Sequence, residues 1–150
     1  MGFPPAQRNT AAAKWGGGVA VTGAAFALIT ITVPWVKIYY RTFTLGELAD
    51  SGIGGSISGS ASAAVIFYLL GGLTAAALGI IGIAASTRNL ITIAAIGTLV
   101  AGLVLAVATM IGLSMLDELG PDSASGGFLL GGFAALVTFA GGAVLLAGRG

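Results

Sequence analysis

Cysteine and histidine are both absent from the 150 residues of this chain. Without cysteine there is no disulfide framework, no thiolate nucleophile and no thiolate metal site. Without histidine, the commonest metal ligand, the usual haem ligand and the usual general base go together. Charge is scarce too. Six basic and five acidic side chains make up 7% of the chain, against about 25% in average soluble domains. So few charges cannot clothe a water-soluble surface. The net charge is only +1, and no basic run is long enough to track phosphates, so no nucleic-acid partner is expected.

What the chain has is apolar length. Hydrophobic residues are 57% of it and the mean hydropathy is +1.04. From Ala63 to Met115 a single charge, Arg88, separates two uncharged runs, Ala63–Ala85 and Leu90–Met115. About 20 apolar residues cross the ~30 Å hydrocarbon core as a helix. The segment Ser86-Thr87-Arg88-Asn89 therefore reads as the turn between two antiparallel membrane helices.

The remaining spans fall on either side of this hairpin. Trp15–Val36 is uncharged and follows a short polar leader carrying Arg8 and Lys14. A basic leader before an apolar run has the outline of a signal peptide, with Ala25-Phe26-Ala27 as a cleavage site. The run continues past that point through Leu28–Val33, so it is read as a span. Trp15 and Trp35 lie about 30 Å apart along such a helix. They are the expected interface anchors at its two ends, with Tyr39 and Tyr40 reinforcing the second. Pro34 lacks an N–H and frees the carbonyl of Thr30, which predicts a local kink. The fourth span runs from about Gly126 to Gly148, after an acidic turn at Asp117-Glu118-Leu119-Gly120-Pro121-Asp122.

The fold class expected is thus an all-α membrane protein. It is a single domain of four transmembrane helices in an up-down antiparallel bundle, with spans at about 15–36, 63–85, 90–115 and 126–148. An outer loop at 37–62 is the one sizeable connection. Its first part is aromatic and basic (Lys37, Tyr39, Tyr40, Arg41), and Thr44-Leu45-Gly46-Glu47 has the form of a capping box that predicts a helical turn through Asp50. Ser51–Ser62 is almost entirely Gly, Ser, Ala and Ile, which supplies flexibility and little packing, and in isolation it is expected to be disordered. Tyr39, Tyr40 and Arg41 anchor the loop at the headgroups, dock a partner, or do both.

Charge sets the expected orientation. Arg8, Lys14, Arg88 and Arg149 fall on one side of a four-span bundle with no acid among them. The other side holds Lys37, Arg41 and all five acids, Glu47, Asp50, Asp117, Glu118 and Asp122. The excess of basic residues on the first side predicts cytoplasmic termini in a bacterial plasma membrane.

Each span also carries small residues at three-and-four spacing, among them Gly72, Gly79, Gly97, Gly127 and Gly131. Lipid hosts leucine as well as another helix does, so association depends on close backbone approach, which small residues permit. Gly127-x-x-x-Gly131 is a formal GxxxG match, read here as packing within the bundle. Leu69-Leu70-Gly71-Gly72 recurs as Leu129-Leu130-Gly131-Gly132, which a parallel duplication would produce. In a chain rich in Leu and Gly, chance produces it too.

No Asp, Glu, Lys or Arg lies inside an expected span, which argues against a proton-coupled transporter or an intramembrane hydrolase. The acids on the outer side lack the spacing of a dedicated Ca²⁺ loop, and Met110 and Met115 are read as packing residues. No catalytic residue, cofactor or metal is expected. The layout, with Val33-Pro34-Trp35 closing the first span, resembles small four-helix membrane proteins of actinobacteria, both the tryptophan-associated membrane family and accessory subunits of respiratory assemblies. The expected function is a non-catalytic accessory or assembly subunit of a larger membrane complex, in contact with lipid and with other subunits. The alternative is a small homo-oligomeric channel or carrier whose polar path is lined by Thr22, Thr74, Thr98 and Thr138.

The topology has a direct test, since no native cysteine competes. A cysteine replacing Ser56 or Ser123 should react with a membrane-impermeant reagent in intact cells, and one replacing Ser86 only after lysis. Labelling at position 86 from outside would invert the orientation.

Overall fold

The computed structural model describes residues 10–38, 41–50, 55–85, 87–119 and 126–148. In chain order the elements are α1 (Thr10–Thr32), β1 (Pro34–Ile38), β2 (Arg41–Thr44), α2 (Leu45–Asp50), α3 (Gly55–Ala84), α4 (Arg88–Leu119) and α5 (Gly127–Gly148). Four of the helices are long and apolar enough to cross a membrane, over Ala11–Thr32, Gly59–Ala84, Arg88–Met115 and Gly127–Ala147. Hydrocarbon offers no partner to a bare N–H or C=O, so an apolar stretch of this length satisfies its own backbone as a helix. The protein is an all-α bundle of multi-pass membrane type, with one small antiparallel β-hairpin added.

The helices form a ring in the order α1, α3, α4, α5. Each packs on its two neighbours, and the diagonal pairs barely touch. Every neighbouring pair is antiparallel, because Gly16 of α1 meets Leu145 of α5 while Gly23 meets Thr138, and Gly17 meets Gly79 of α3 while Leu28 meets Gly72. The bundle therefore has an Arg88 end, where α1 begins and α5 stops, and a hairpin end, which carries β1, β2 and α2.

Close approach is made where side chains are missing. A Cβ built on Gly79 would lie 2.7 Å from the Gly17 carbonyl oxygen, and one on Gly141 would lie 2.6 Å from the Ala20 amide nitrogen. A Cβ on Gly72 would be 3.3 Å from the Leu28 side chain, and one on Gly97 would overlap the Leu78 side chain. Around the middle of the bundle the interior is alanine: Ala24, Ala75 and Ala101 pack together, and Ile91, Ala94 and Ala95 pack with Ala13 and Leu145 nearer the Arg88 end. Bulk is turned outward, as Ile66, Leu73 and Ile80 on α3 and Ile93, Ile96, Leu103 and Met110 on α4. Met115, by contrast, is fully buried.

The two Leu-Leu-Gly-Gly copies occupy different surroundings. A Cβ on Gly71 would meet Leu105 of α4, one on Gly131 would meet Tyr68 of α3, and one on Gly132 would meet nothing within 4 Å. The packing does not treat them as equivalent positions.

Three expected boundaries move. The first helix starts at Thr10 and ends at Thr32, with Pro34 already in β1. The residue before a proline is driven out of the α region, so α1 stops where a kink was expected. The stretch Ser51–Ser62, expected to be disordered in isolation, is helical from Gly55 onward, where Ala61 and Ala64 in the early turns of α3 are buried in one cluster with Leu45 and Leu48 of α2. Small side chains with modest helix propensity are here overridden by packing. Asp117 and Glu118 belong to the last turn of α4 rather than to a turn between helices, while Asp122 lies outside the described residues. At the other end of α4, Thr87 accepts the Ile91 amide through its carbonyl at 3.2 Å and the Leu90 amide through Oγ1 at 3.3 Å. It caps the helix where Arg88 begins it.

Thermal unfolding in detergent should separate the two kinds of glycine. Gly79→Leu and Gly131→Leu should each cost on the order of 1–3 kcal/mol, since both seams are already filled by backbone or by Tyr68. Gly132→Ala and Leu103→Ile, both on open faces, should cost nothing measurable. Equal tolerance at all four would mean that the faces are wrongly placed.

Candidate functional site

The hairpin end contains the largest buried side chains and most of the buried polar contacts. Its organising residue is Trp35, which is 0% exposed. Strand β1 pairs antiparallel with β2 through Pro34↔Thr44, Val36↔Phe43, Lys37↔Thr42 and Ile38↔Arg41, with the register shifting between Pro34 and Val36. Trp35 is the extra residue at that irregularity. Strand side chains normally alternate between faces, but a bulge re-aims one of them. Here both Trp35 and Val36 are buried.

The Trp35 ring enters the bundle between α4 and α5. The space it needs exists because Gly112 and Gly127 have no side chains; a Cβ on either would overlap the indole. Its Nε1 donates to the carbonyl of Thr30 at 3.0 Å. This is the carbonyl that Pro34, four residues on, leaves without a backbone donor. The indole N–H thus supplies the bond that proline removes, in a place where an unpaired carbonyl is costly. Thr30 and Thr32 turn their own hydroxyls back, to Phe26 O at 2.6 Å and to Ile29 O at 2.8 Å.

Tyr68 of α3 stands beside the indole, with ring centroids 6.0 Å apart and planes tilted by 58°. Its hydroxyl lies 2.6 Å from Thr109 Oγ1, which in turn donates to the Leu105 carbonyl at 3.0 Å. A threonine hydroxyl has one proton. With that proton on Leu105 O, Tyr68 is the donor to Thr109. Gly131 of α5 gives the phenol room. Side-chain contacts therefore link β1, α3 and α4 at one level, with Gly127 and Gly131 of α5 leaving room for the two rings.

Outside this plug the hairpin is held by α2. Thr44 N donates to Glu47 Oε1 at 3.1 Å, and Glu47 N donates to Thr44 Oγ1 at 3.2 Å, the reciprocal pair of a capping box. Arg41 is 73% exposed, with its guanidinium 4.9 Å from the Phe43 ring centroid and 3.9 Å from Glu47 Oε2. At such exposure the ion pair contributes at most about 1 kcal/mol. Arg41 is thus loosely held and presented outward.

Of the two expected anchors on α1, Trp15 is 73% exposed, on the outside near the Arg88 end. Trp35 is not an interface anchor. It is buried because its indole N–H has a carbonyl to satisfy inside the bundle. Tyr39 and Tyr40 lie outside the described residues. Gly127 and Gly131 both face inward, onto Trp35 and Tyr68. The threonines of the expected polar path divide: Thr22 and Thr74 are on the outer surface, while Thr98 and Thr138 are buried with hydroxyls that have no partner. Tyr68, Thr109 and Gly112 were not singled out by their sequence context. The available signal was Tyr68 itself, a polar-tipped aromatic in an otherwise uncharged run that lacks other hydrogen-bonding aromatics.

No family model, no curated protein and no solved structure matches the chain.

Removal of the plug should be far more damaging than removal of its polar tip. Trp35→Ala should lower unfolding free energy in detergent by about 3–5 kcal/mol, as for other buried aromatics. Tyr68→Phe should cost about 1 kcal/mol or less, since Thr109 keeps its bond to Leu105. Reversed magnitudes would show that the hydroxyl pair, not the indole, holds this end together.

Proposed function

We infer that this protein is a non-catalytic accessory or assembly subunit of a larger bacterial membrane protein complex, of the kind found in actinobacteria, inserted in the plasma membrane with both termini in the cytoplasm. The observation that carries this reading is the contrast within the hairpin end. Its inner side is fixed by Trp35, Val36, Leu45 and Leu48, all fully buried. Its outer side presents Arg41 and Thr42 to solvent. A backbone fixed from its inner side, with an exposed Arg beside an aromatic, is a suitable docking surface, because little backbone ordering entropy remains to be lost on contact. The interior polar groups of the described spans are threonine hydroxyls and one phenol, Tyr68, a set that suits packing rather than acid–base chemistry.

The channel or carrier reading rests on Thr98 and Thr138, whose hydroxyls are buried without a partner, that of Thr138 against Gly23 of α1. Thr22 and Thr74 do not join them; Thr22 Oγ1 bonds back to the Gly18 carbonyl at 2.9 Å. Two hydroxyls without a continuous lining are weaker support than a preformed docking element.

Purification from native membrane in mild detergent distinguishes the two. The accessory reading expects a defined complex, and Tyr40→Ala combined with Arg41→Ala should reduce partner recovery while insertion is unchanged. Full recovery with the double variant would make these residues lipid anchors. Recovery of a pure self-oligomer would favour the channel.

A further inference from the structure

The outward face of α1 differs from those of α3 and α4. On α3 and α4 the outward positions are mainly Leu, Ile and Val, whereas α1 exposes Ala11, Lys14, Trp15, Thr22 and Ala25 before the first exposed Ile, Ile29. Of the four apolar segments, that of α1 is the least hydrophobic. Lys14, Trp15, Gly18, Val19 and Thr22 line a shallow, open groove on this face. Gly18 forms its open floor, with nothing within 4 Å of the place a Cβ would take. The Thr22 hydroxyl is already bonded to the Gly18 carbonyl, so among the described lining residues the polar side-chain groups left free are the Lys14 ammonium and the Trp15 indole N–H, side by side at one end.

The groove is therefore cationic at one end and apolar along the rest. Lys14 lies in the second turn of α1, close to where the apolar segment begins at Ala11. A lysine at this depth extends its ammonium toward the phosphate level, and a tryptophan beside it sits at the headgroup boundary. Among the described residues Lys14 makes no ion pair, and no acidic side chain stands at the Arg88 end, where Arg88 adds a second positive charge. A ligand that complements this arrangement has a negative head and an apolar tail.

We propose that α1 carries a site for one anionic phospholipid of the leaflet at the Arg88 end, with the phosphate on the Lys14 ammonium, the glycerol region against Trp15, and one acyl chain along Gly18, Val19 and Thr22. The site is independent of the docking role of the hairpin at the opposite end of the bundle.

Native mass spectrometry of the full chain, released from micelles containing equal phosphatidylglycerol and phosphatidylcholine, tests it. The wild type should retain phosphatidylglycerol about fivefold over phosphatidylcholine, the preference one basic residue at a lipid phosphate provides. Lys14→Gln should abolish the preference with thermal unfolding unchanged, since Lys14 is exposed. Gly18→Leu should lower retention of both lipids by filling the groove while leaving the charge in place. Arg88→Gln should keep the preference. The proposal is overturned if the wild type shows no preference, if Lys14→Gln retains it, or if Arg88→Gln alone removes it. It is also overturned if Gly18→Cys cross-links efficiently to a second copy in bilayers, which would make this face a protein interface.

Discussion

The indole N–H of Trp35 and the carbonyl of Thr30 are joined by the bond on which the hairpin end depends. Proline ends α1 by withholding a donor, and the next residue returns it from a side chain. That single substitution of donor has three results. The chain leaves the helix and enters a strand at once. The ring is drawn into the bundle, where Gly112 and Gly127 leave space for it. The hairpin and α2 are then fixed against the helices rather than suspended above them. A two-stranded hairpin alone is only marginally stable in water; this one is held by what its bulge sends inward.

The rest of the bundle is organised by a different constraint. In lipid there is no gain in hiding leucine from its surroundings, so helices associate where their backbones can come close. The ring of α1, α3, α4 and α5 obeys this at nearly every level, from Gly16 against Leu145 to Gly72 against Leu28. The two regimes meet at Tyr68 and Gly131, where a glycine seam ends and the aromatic plug begins. The Tyr68 hydroxyl can be buried there because Thr109 passes the hydrogen bond on to a helix carbonyl.

The helices were legible in the sequence because their signal is length and apolarity, which need no knowledge of partners. The same is true of the capping box at Thr44 and Glu47, a local pattern with a local result. The plug was not legible. Trp35 reads as an interface anchor from its spacing to Trp15, and only the three-dimensional position of Gly112 and Gly127, far along the chain, shows that space exists for the ring inside. The helical start of α3 was hidden for a related reason. Gly, Ser and Ala between 55 and 62 have the composition of a tether, and what makes them helical is the packing of Ala61 and Ala64 in one cluster with the α2 leucines. Local composition could report neither contact. Among the glycines, Gly79 faces the Gly17 backbone while Gly127 and Gly131 face an indole and a phenol, a difference that spacing along the chain does not carry.

The glycine seams carry a consequence for how such a chain can vary. Every single-base change to a glycine codon that alters the amino acid adds atoms, and none removes them. Where a missing side chain is what lets Gly17 meet Gly79, or Trp35 sit against Gly112 and Gly127, no neighbouring codon encodes a smaller replacement. Variation at these positions has only one direction, toward bulk. A lineage can therefore drift freely on the lipid-facing leucines and isoleucines, while change at a seam requires a second, compensating loss of volume on the helix opposite.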